Sequence, residues 1–247
     1  MTRRDIPSRL KAPFLRELAY QRDATLGSDY PFTLSLFAQT DFAIAFTRPV
    51  TMLVGEHGTG KSTLLEAIAK HCGFSLAGGN RNHGSGGGED IAAFVAALRF
   101  SWLPKITTGL FLRAETFFNF AGQLDAMFGG FDGTRPLHEQ SHGEAFLTLF
   151  GSRMQGRGIY IMDEPEAALS PSRQLAFLLL LRELEQGGEA QVLIATHSPI
   201  LMAYPGAQVL ELKAGSVGEA DYRQTNHFRL MRRFLENPDA YFAHLFR

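Results

Sequence analysis

The run from Val50 to Thr63, VTMLVGEHGTGKST, constrains the fold of this chain more than any other stretch. Its first five residues are apolar or β-branched without interruption, the pattern of a strand buried on both faces. Glycines follow at positions 55, 58 and 60, and from Ser62 to His71 the spacing of Leu64, Leu65, Ile68 and Ala69 is helical. Strand, glycine loop and helix thus surround a match to G-x-x-x-x-G-K-[ST] at Gly55, Gly60, Lys61 and Ser62. Glycines let successive backbone N–H groups turn inward around a phosphate, and a helix N-terminus adds partial positive charge. Gly55, Glu56, His57, Gly58, Thr59, Gly60, Lys61, Ser62 and Thr63 are therefore expected to bind a nucleotide. Lys61 would reach its β- and γ-phosphates, and Ser62 would hold Mg2+.

The remaining segments extend this unit into an α/β architecture. Residues 32 to 54 alternate twice and then become continuously apolar, which reads as two half-exposed strands followed by a buried one. Asp90 to Leu103 reads as a helix, Gly109 to Ala114 and Ile159 to Met162 as strands, Ser172 to Glu185 as an apolar helix, and Gln191 to Thr196 as a further strand. Strands alternating with helices predict a mainly parallel sheet with helices on both faces, accompanied by N-terminal antiparallel strands. The tail from Asn226 predicts two short helices packed back on the domain. Between residues 78 and 88 six glycines predict a mobile loop, because ordering them costs too much backbone entropy.

At 247 residues the chain suits one domain spanning 1–247. Its 24 lysines and arginines nearly balance 25 acidic residues, so the overall charge does not point to nucleic acid. A mildly basic arm within residues 1–29, with Arg3, Arg4, Arg9, Lys11, Arg16 and Arg22, keeps a phosphate-backbone contact open. Cys72 is the only cysteine, which excludes an internal disulfide and fits a reducing compartment. No membrane-spanning stretch or secretory leader is evident, and the expected location is cytoplasmic.

Ile159-Tyr160-Ile161-Met162-Asp163-Glu164-Pro165 is an apolar strand ending in two carboxylates. Buried charge at that place is resolved by a cation and a water: Asp163 would bind Mg2+, and Glu164 would accept a proton from the attacking water.

Together with the phosphate loop and the strand-end histidine in Ile194-Ala195-Thr196-His197-Ser198-Pro199, these residues resemble the ABC-type ATPases, a branch of the P-loop NTPases. The resemblance implies ATP and Mg2+ as ligands, Glu164 as general base, and His197 beside the γ-phosphate and the attacking water. It also implies a signature loop contributed across a dimer, and Ser141-His142-Gly143-Glu144 stands where that loop belongs. Ser141 and Gly143 would cap the partner's phosphate, with a helix beginning near Glu144. SHGE, and the segment from Glu166 to Pro171 (EAALSP), are closer to the small soluble bacterial ATPases of this kind. These are related to the overcoming-lysogenization-defect group and to RecF and chromosome-maintenance heads. The transporter pattern has aspartate where Ser170 stands. Glu115 replaces the family's usual glutamine as a Mg2+ or water ligand, with Gln123 a weaker substitute. Tyr30 and Phe32 are the candidates for stacking on adenine.

His138-Glu139-Gln140-Ser141-His142 also matches H-E-x-x-H, the zinc-peptidase pattern. Pro136 and Gly143 bracket it and oppose the helix that such a site needs. Only 25 residues separate Glu115 from Ser141, too few for a full transporter helical subdomain, so residues 116–150 are expected to form a short lid that carries the signature loop. The expected function is an ATPase that forms a head-to-tail homodimer on binding ATP and couples its closure to an unidentified partner or substrate, a protein partner among the candidates, with no membrane insertion. A transporter's nucleotide-binding subunit and a DNA-associated repair or defence ATPase are the alternatives.

Overall fold

The computed structural model describes residues 10–21, 29–38, 41–76, 89–114, 142–154 and 156–246. A six-stranded sheet forms its centre. Its strands are β3 (Val50–Val54), β5 (Gly109–Arg113), β6 (Gly158–Asp163), β7 (Ala190–Ala195), β8 (Ala207–Lys213) and β9 (Ser216–Glu219), in the order β5-β6-β7-β3-β8-β9. All neighbours are parallel except β8 and β9, which form a hairpin. A second, antiparallel sheet joins β2 (Phe42–Ala45), β1 (Leu15–Tyr20) and β4 (Leu98–Trp102) in that order. The α/β class and the mainly parallel sheet agree with the sequence pattern.

Strand alternation divides the core into two halves. Val50, Met52, Leu110, Leu112, Tyr160, Met162, Val192 and Ile194 project to one face, against α3 (His142–Arg153), α4 (Pro171–Gly187) and α5 (Pro199–Met202). Leu53, Phe111, Ile159, Ile161, Leu193 and Ala195 project to the other, against α1 (Lys61–Cys72) and the antiparallel sheet. By the same parity Asp163 leaves β6 on the α1 side. Cys72 is buried at the end of α1, as its apolar surroundings predict.

Three assignments need correction. Residues 31–38 form turns, with Leu34 N–H bonded to Pro31 C=O and Phe37 N–H to Leu34 C=O. Leu36 and Phe37 are both fully buried, which adjacent residues of a strand with one exposed face could not be. The missing antiparallel strand lies instead at Leu15–Tyr20, inside the segment read as a basic arm. Asp90 to Leu103 is not one helix: α2 (Glu89–Ala96) gives way to β4. The tail does form α6 (Asn226–Glu236) and α7 (Pro238–Leu245), but neither contributes a buried residue, and Leu230, Leu235 and Leu245 are exposed. The β8–β9 hairpin was not foreseen. The glycine-rich segment 78–88 and most of the lid lie outside the described residues.

Buried glutamines fasten the two sheets together: Gln208 of β8 donates to Ala45 C=O of β2 at 3.0 Å, and Gln191 makes a larger set of bonds. Gln191 is fully buried in β7; its Oε1 accepts from the N–H groups of Phe14 and Leu15, both at 2.8 Å, and its Nε2 donates to Leu15 C=O at 3.0 Å. Gln191→Leu leaves two amides and a carbonyl without partners, so a loss of at least about 3 kcal/mol is expected in urea denaturation, from roughly 1–3 kcal/mol for each buried group left unpaired. A midpoint unchanged from the parent protein would show that water or another group replaces these bonds.

Candidate functional site

The loop after β3 is held in a shape with positive φ at all three of its glycines, and at two of them a side chain would also collide. Gly55 has φ 144°, and a Cβ there would stand 2.3 Å from the carbonyl oxygen of Leu212; Gly60 has φ 99°, and a Cβ would press on the Phe37 ring at 2.9 Å. Between them a Cβ on Gly58 would meet nothing within 4 Å, so the crown of the loop is open. Thr59 Oγ1 donates to Glu56 C=O at 2.8 Å and closes the turn. Lys61 is almost wholly buried and donates to the carbonyls of Gly55 at 2.8 Å and Glu56 at 3.0 Å. Burial lowers its pKa, against the opposing charges of Glu164, Asp163, Glu56 and Glu166.

Asp163 ends β6 directly across from the start of α1. Ser62 Oγ donates to its Oδ1 at 2.9 Å, and Arg113 Nε, from the end of β5, to its Oδ2 at 3.2 Å. Burial raises the Asp163 pKa, while Arg113 and Ser62 pull it down. Arg113 also pairs with Glu66, which lies one turn beyond Ser62 on α1. Burial alone would lower the pKa of Arg113; its pairing with Glu66 and Asp163 outweighs burial and raises it. A hydroxyl and a carboxylate oxygen at this spacing are the donor set that a hard cation takes. The residues present therefore fit Mg2+.

Glu164 breaks the strand. Its φ of 50° and ψ of 53° make it the only non-glycine residue with positive φ among those described, at a cost of roughly 1–2 kcal/mol. Its N–H is anchored to Ala195 C=O at 2.9 Å, and the 3-10 turn Pro165–Ala168 follows. This left-handed turn swings the carboxylate out of the strand's alternation, bringing Oε1 to 3.5 Å from His197 Nε2.

His197 is fixed from several directions. Its backbone N–H donates to Glu166 Oε1 at 2.5 Å, its Nδ1 meets His227 Nε2 at 2.9 Å, and its ring stacks on that of His57 with centroids 4.3 Å apart. Its Nε2 is buried and has no hydrogen-bond partner among the described residues. Burial, then the charges of Lys61, His227 and His57, lowers its pKa to about 4, so the ring is neutral at physiological pH. Burial also raises the Glu166 carboxyl, against the hydrogen bond from the His197 N–H.

The structure thus gathers Lys61, Ser62, Asp163, Glu164, His57 and His197 at the C-terminal ends of β3, β6 and β7. Ser62, Arg113, Ala114, Asp163, Glu164 and Ala167 line a small cleft there. Gly143 and Glu144 do not belong to it. They stand against Arg173 of α4: a Cβ on Gly143 would lie 2.4 Å from the Arg173 Cδ, and Glu144 pairs with Arg173 at 3.0 Å. The helix expected near Glu144 begins at His142. Ser141, Glu115, Gln123, His138 and Glu139 lie outside the described residues. Of the two aromatic candidates, Phe32 is a core residue, whereas Tyr30 is exposed and its hydroxyl bonds Thr63 Oγ1 at 2.9 Å.

A likeness to known proteins accompanies this geometry. A family model described as "AAA domain, putative AbiEii toxin, Type IV TA system" matches residues 89–203, a span holding Asp163, Glu164 and His197 but not the phosphate loop. A solved structure described as "An inward-facing conformation of a putative metal-chelate type ABC transporter" is similar with TM-score 0.50 and 17% identity, over 87% of each chain. The chain has the fold of an ABC-type ATPase. Two further solved structures similar to this chain are cbiO1 from Clostridium perfringens, part of the transporter complex cbiONQ, and the SMC head domain from Thermotoga maritima. The first has TM-score 0.49 and 18% identity over 94% of this chain and 99% of that one; the second has 0.45 and 18% over 84% and 98%. No curated protein matches the sequence. Among the described residues, no helix is long and apolar enough to cross a membrane.

The sequence reading missed Arg113, Glu66, Glu166 and His227. Only Glu66 had a local signal, its one-turn spacing from Ser62. Arg113→Met removes the cation beside two carboxylates and is expected to destabilise the fold by about 2–3 kcal/mol in urea denaturation, less than for a fully buried pair because the arginine is partly exposed. Asp163→Asn in the same chain should recover part of that loss; no recovery would mean that the pair is not coupled.

His197 gives a pH prediction. In the unfolded chain it charges near pH 6.5, in the folded one only near 4. Its contribution to stability is therefore present above 6.5 and is lost as pH falls towards 4. His197→Gln should be less sensitive to acid than the parent across that window, and parallel profiles would show that the histidine is not held neutral.

Proposed function

We propose that this chain binds Mg·ATP and hydrolyses it between two protomers arranged head to tail, coupling closure of the pair to work on a protein partner. The observation that carries this reading is the convergence of Lys61, Ser62, Asp163, Glu164 and His197, drawn from the ends of three neighbouring parallel strands, on one point.

The roles follow from the atoms. Backbone N–H groups from Gly58 to Ser62 receive the phosphates, and Lys61 Nζ, already beside the loop, offers its charge to the β- and γ-oxygens. Ser62 and Asp163 would hold Mg2+, with Glu115 as the expected further ligand of that ion or its water. Bound Mg2+ supplies charge neutralisation at the leaving and transferred phosphates. Glu164 Oε1 takes the proton of the attacking water. His197, neutral and steered by His227, presents Nε2 to the γ-phosphate. Tyr30, exposed and tied to Thr63, would stack on the base.

The dimer supplies what one chain lacks. Gly143 and Glu144 are anchored to Arg173 away from the cleft, which supports their use, with Ser141, on a partner's phosphate. No described helix supports membrane insertion. The near-neutral charge gives nucleic acid no advantage as the partner.

Glu164→Gln should lower the hydrolysis rate by about 100-fold or more while leaving nucleotide binding intact. With Mg·ATP present, the solution mass of this variant should double relative to the nucleotide-free sample. A variant that binds ATP and stays monomeric would overturn the head-to-tail arrangement, and one that binds no ATP would overturn the reading itself.

A further inference from the structure

A group of nitrogen and oxygen donors beside the phosphate loop is richer than phosphate chemistry requires. One ligand atom each from His57, Glu164 and His197 lies within 4.8 Å of the others. His197 Nε2 is buried without a hydrogen-bond partner although a carboxylate oxygen stands 3.5 Å away. The contacts behind it favour one tautomer. His227 Nδ1 faces Glu56 Oε1 at 3.9 Å, which favours a proton on that nitrogen and leaves His227 Nε2 as acceptor. At 2.9 Å, His197 Nδ1 then donates to it, and His197 Nε2 is left with a lone pair facing the Glu164 carboxylate. Two acceptors face each other, and a cation between them satisfies both.

We infer that His57, Glu164 and His197 form a site for a borderline first-row transition-metal ion of the Zn2+ class, separate from the Mg2+ position at Ser62 and Asp163. Two ligand atoms about 2.05 Å from a tetrahedral zinc stand about 3.4 Å apart, close to the observed 3.5 Å. Two imidazoles with one carboxylate suit Zn2+, Co2+ or Ni2+ and do not suit Mg2+, which takes oxygen donors. His227 on the far nitrogen supplies the orienting contact that metal-bound histidines have. His57 is exposed, so the fourth position opens to water.

The consequence rests on the proposed function. A metal held here engages the general base and displaces the γ-phosphate from His197, so metal and Mg·ATP exclude one another. With His227 as donor instead, His197 carries its proton on Nε2 and faces phosphate; with His227 as acceptor, it faces metal.

Co2+ is the probe, titrated into the nucleotide-free protein and followed by its visible absorption. One equivalent should develop the intense bands of four-coordinate cobalt. His57→Ala should weaken binding at least about tenfold, at unchanged melting temperature. His57→Cys should introduce a thiolate-to-cobalt charge-transfer band, which arises only if residue 57 is a ligand. Absence of four-coordinate bands in the parent protein overturns the site. So does their survival in His57→Ala with loss in His138→Ala, which would place the metal at His138-Glu139-Gln140-Ser141-His142. Mg·ATP should bleach the spectrum. Nucleotide binding, measured on the same samples with a fluorescent ATP analogue, keeps the two readings apart. Bands that persist when the analogue binds overturn the exclusion, and bands without any analogue binding leave the metal site standing while the nucleotide reading falls.

Discussion

The carboxylate of Asp163 lies at the end of a strand buried on both faces, and the surrounding arrangement answers the cost of placing charge there. Its desolvation is opposed by the Ser62 hydroxyl and the Arg113 guanidinium, one brought by the helix after the glycine loop and the other by the neighbouring strand. Those contacts bind α1, β5 and β6 to one point. Removing the charge would relieve the desolvation and also remove the reason why the loop, the helix and the strands meet where they do.

A second constraint is the left-handed backbone at Glu164. Strand geometry delivers Asp163 towards α1 and would deliver its neighbour to the opposite face. The strained turn, anchored to Ala195, redirects Glu164 to His197 instead. Glu166 then holds the His197 backbone, and His227 holds its ring. Glu164 and His197 are thereby fixed by backbone and buried contacts, which limits the reorganisation open to either.

Where the sequence misled, a change of period was hidden. Leu15–Tyr20 buries Leu15, Leu18 and Tyr20, because a bulge between Leu15 and Glu17 breaks the alternation that would have announced a strand. Residues 31–38 show apparent alternation, yet their turns bury Leu36 and Phe37 side by side. From Phe94 to Trp102 the apolar spacing passes from helical to alternating without a glycine or proline to mark the boundary. In the tail, the helical period was real, but period does not say whether a face finds a partner.

The sequence by itself determined the phosphate loop, the acidic strand end and the parallel strands that carry them. Their signals are local: a glycine spacing, an uninterrupted apolar run, and two carboxylates where such a run stops. Only the tertiary structure decided that Arg113 and Glu66 would flank Asp163, that Gln191 would join the sheets, and that His57 and His227 would close around His197. Those pairings cross from 30 to 177 residues of chain, and their residue types are ordinary surface types taken singly. Burial and opposing charge give them meaning, and neither exists until the strands have taken their order in the sheet.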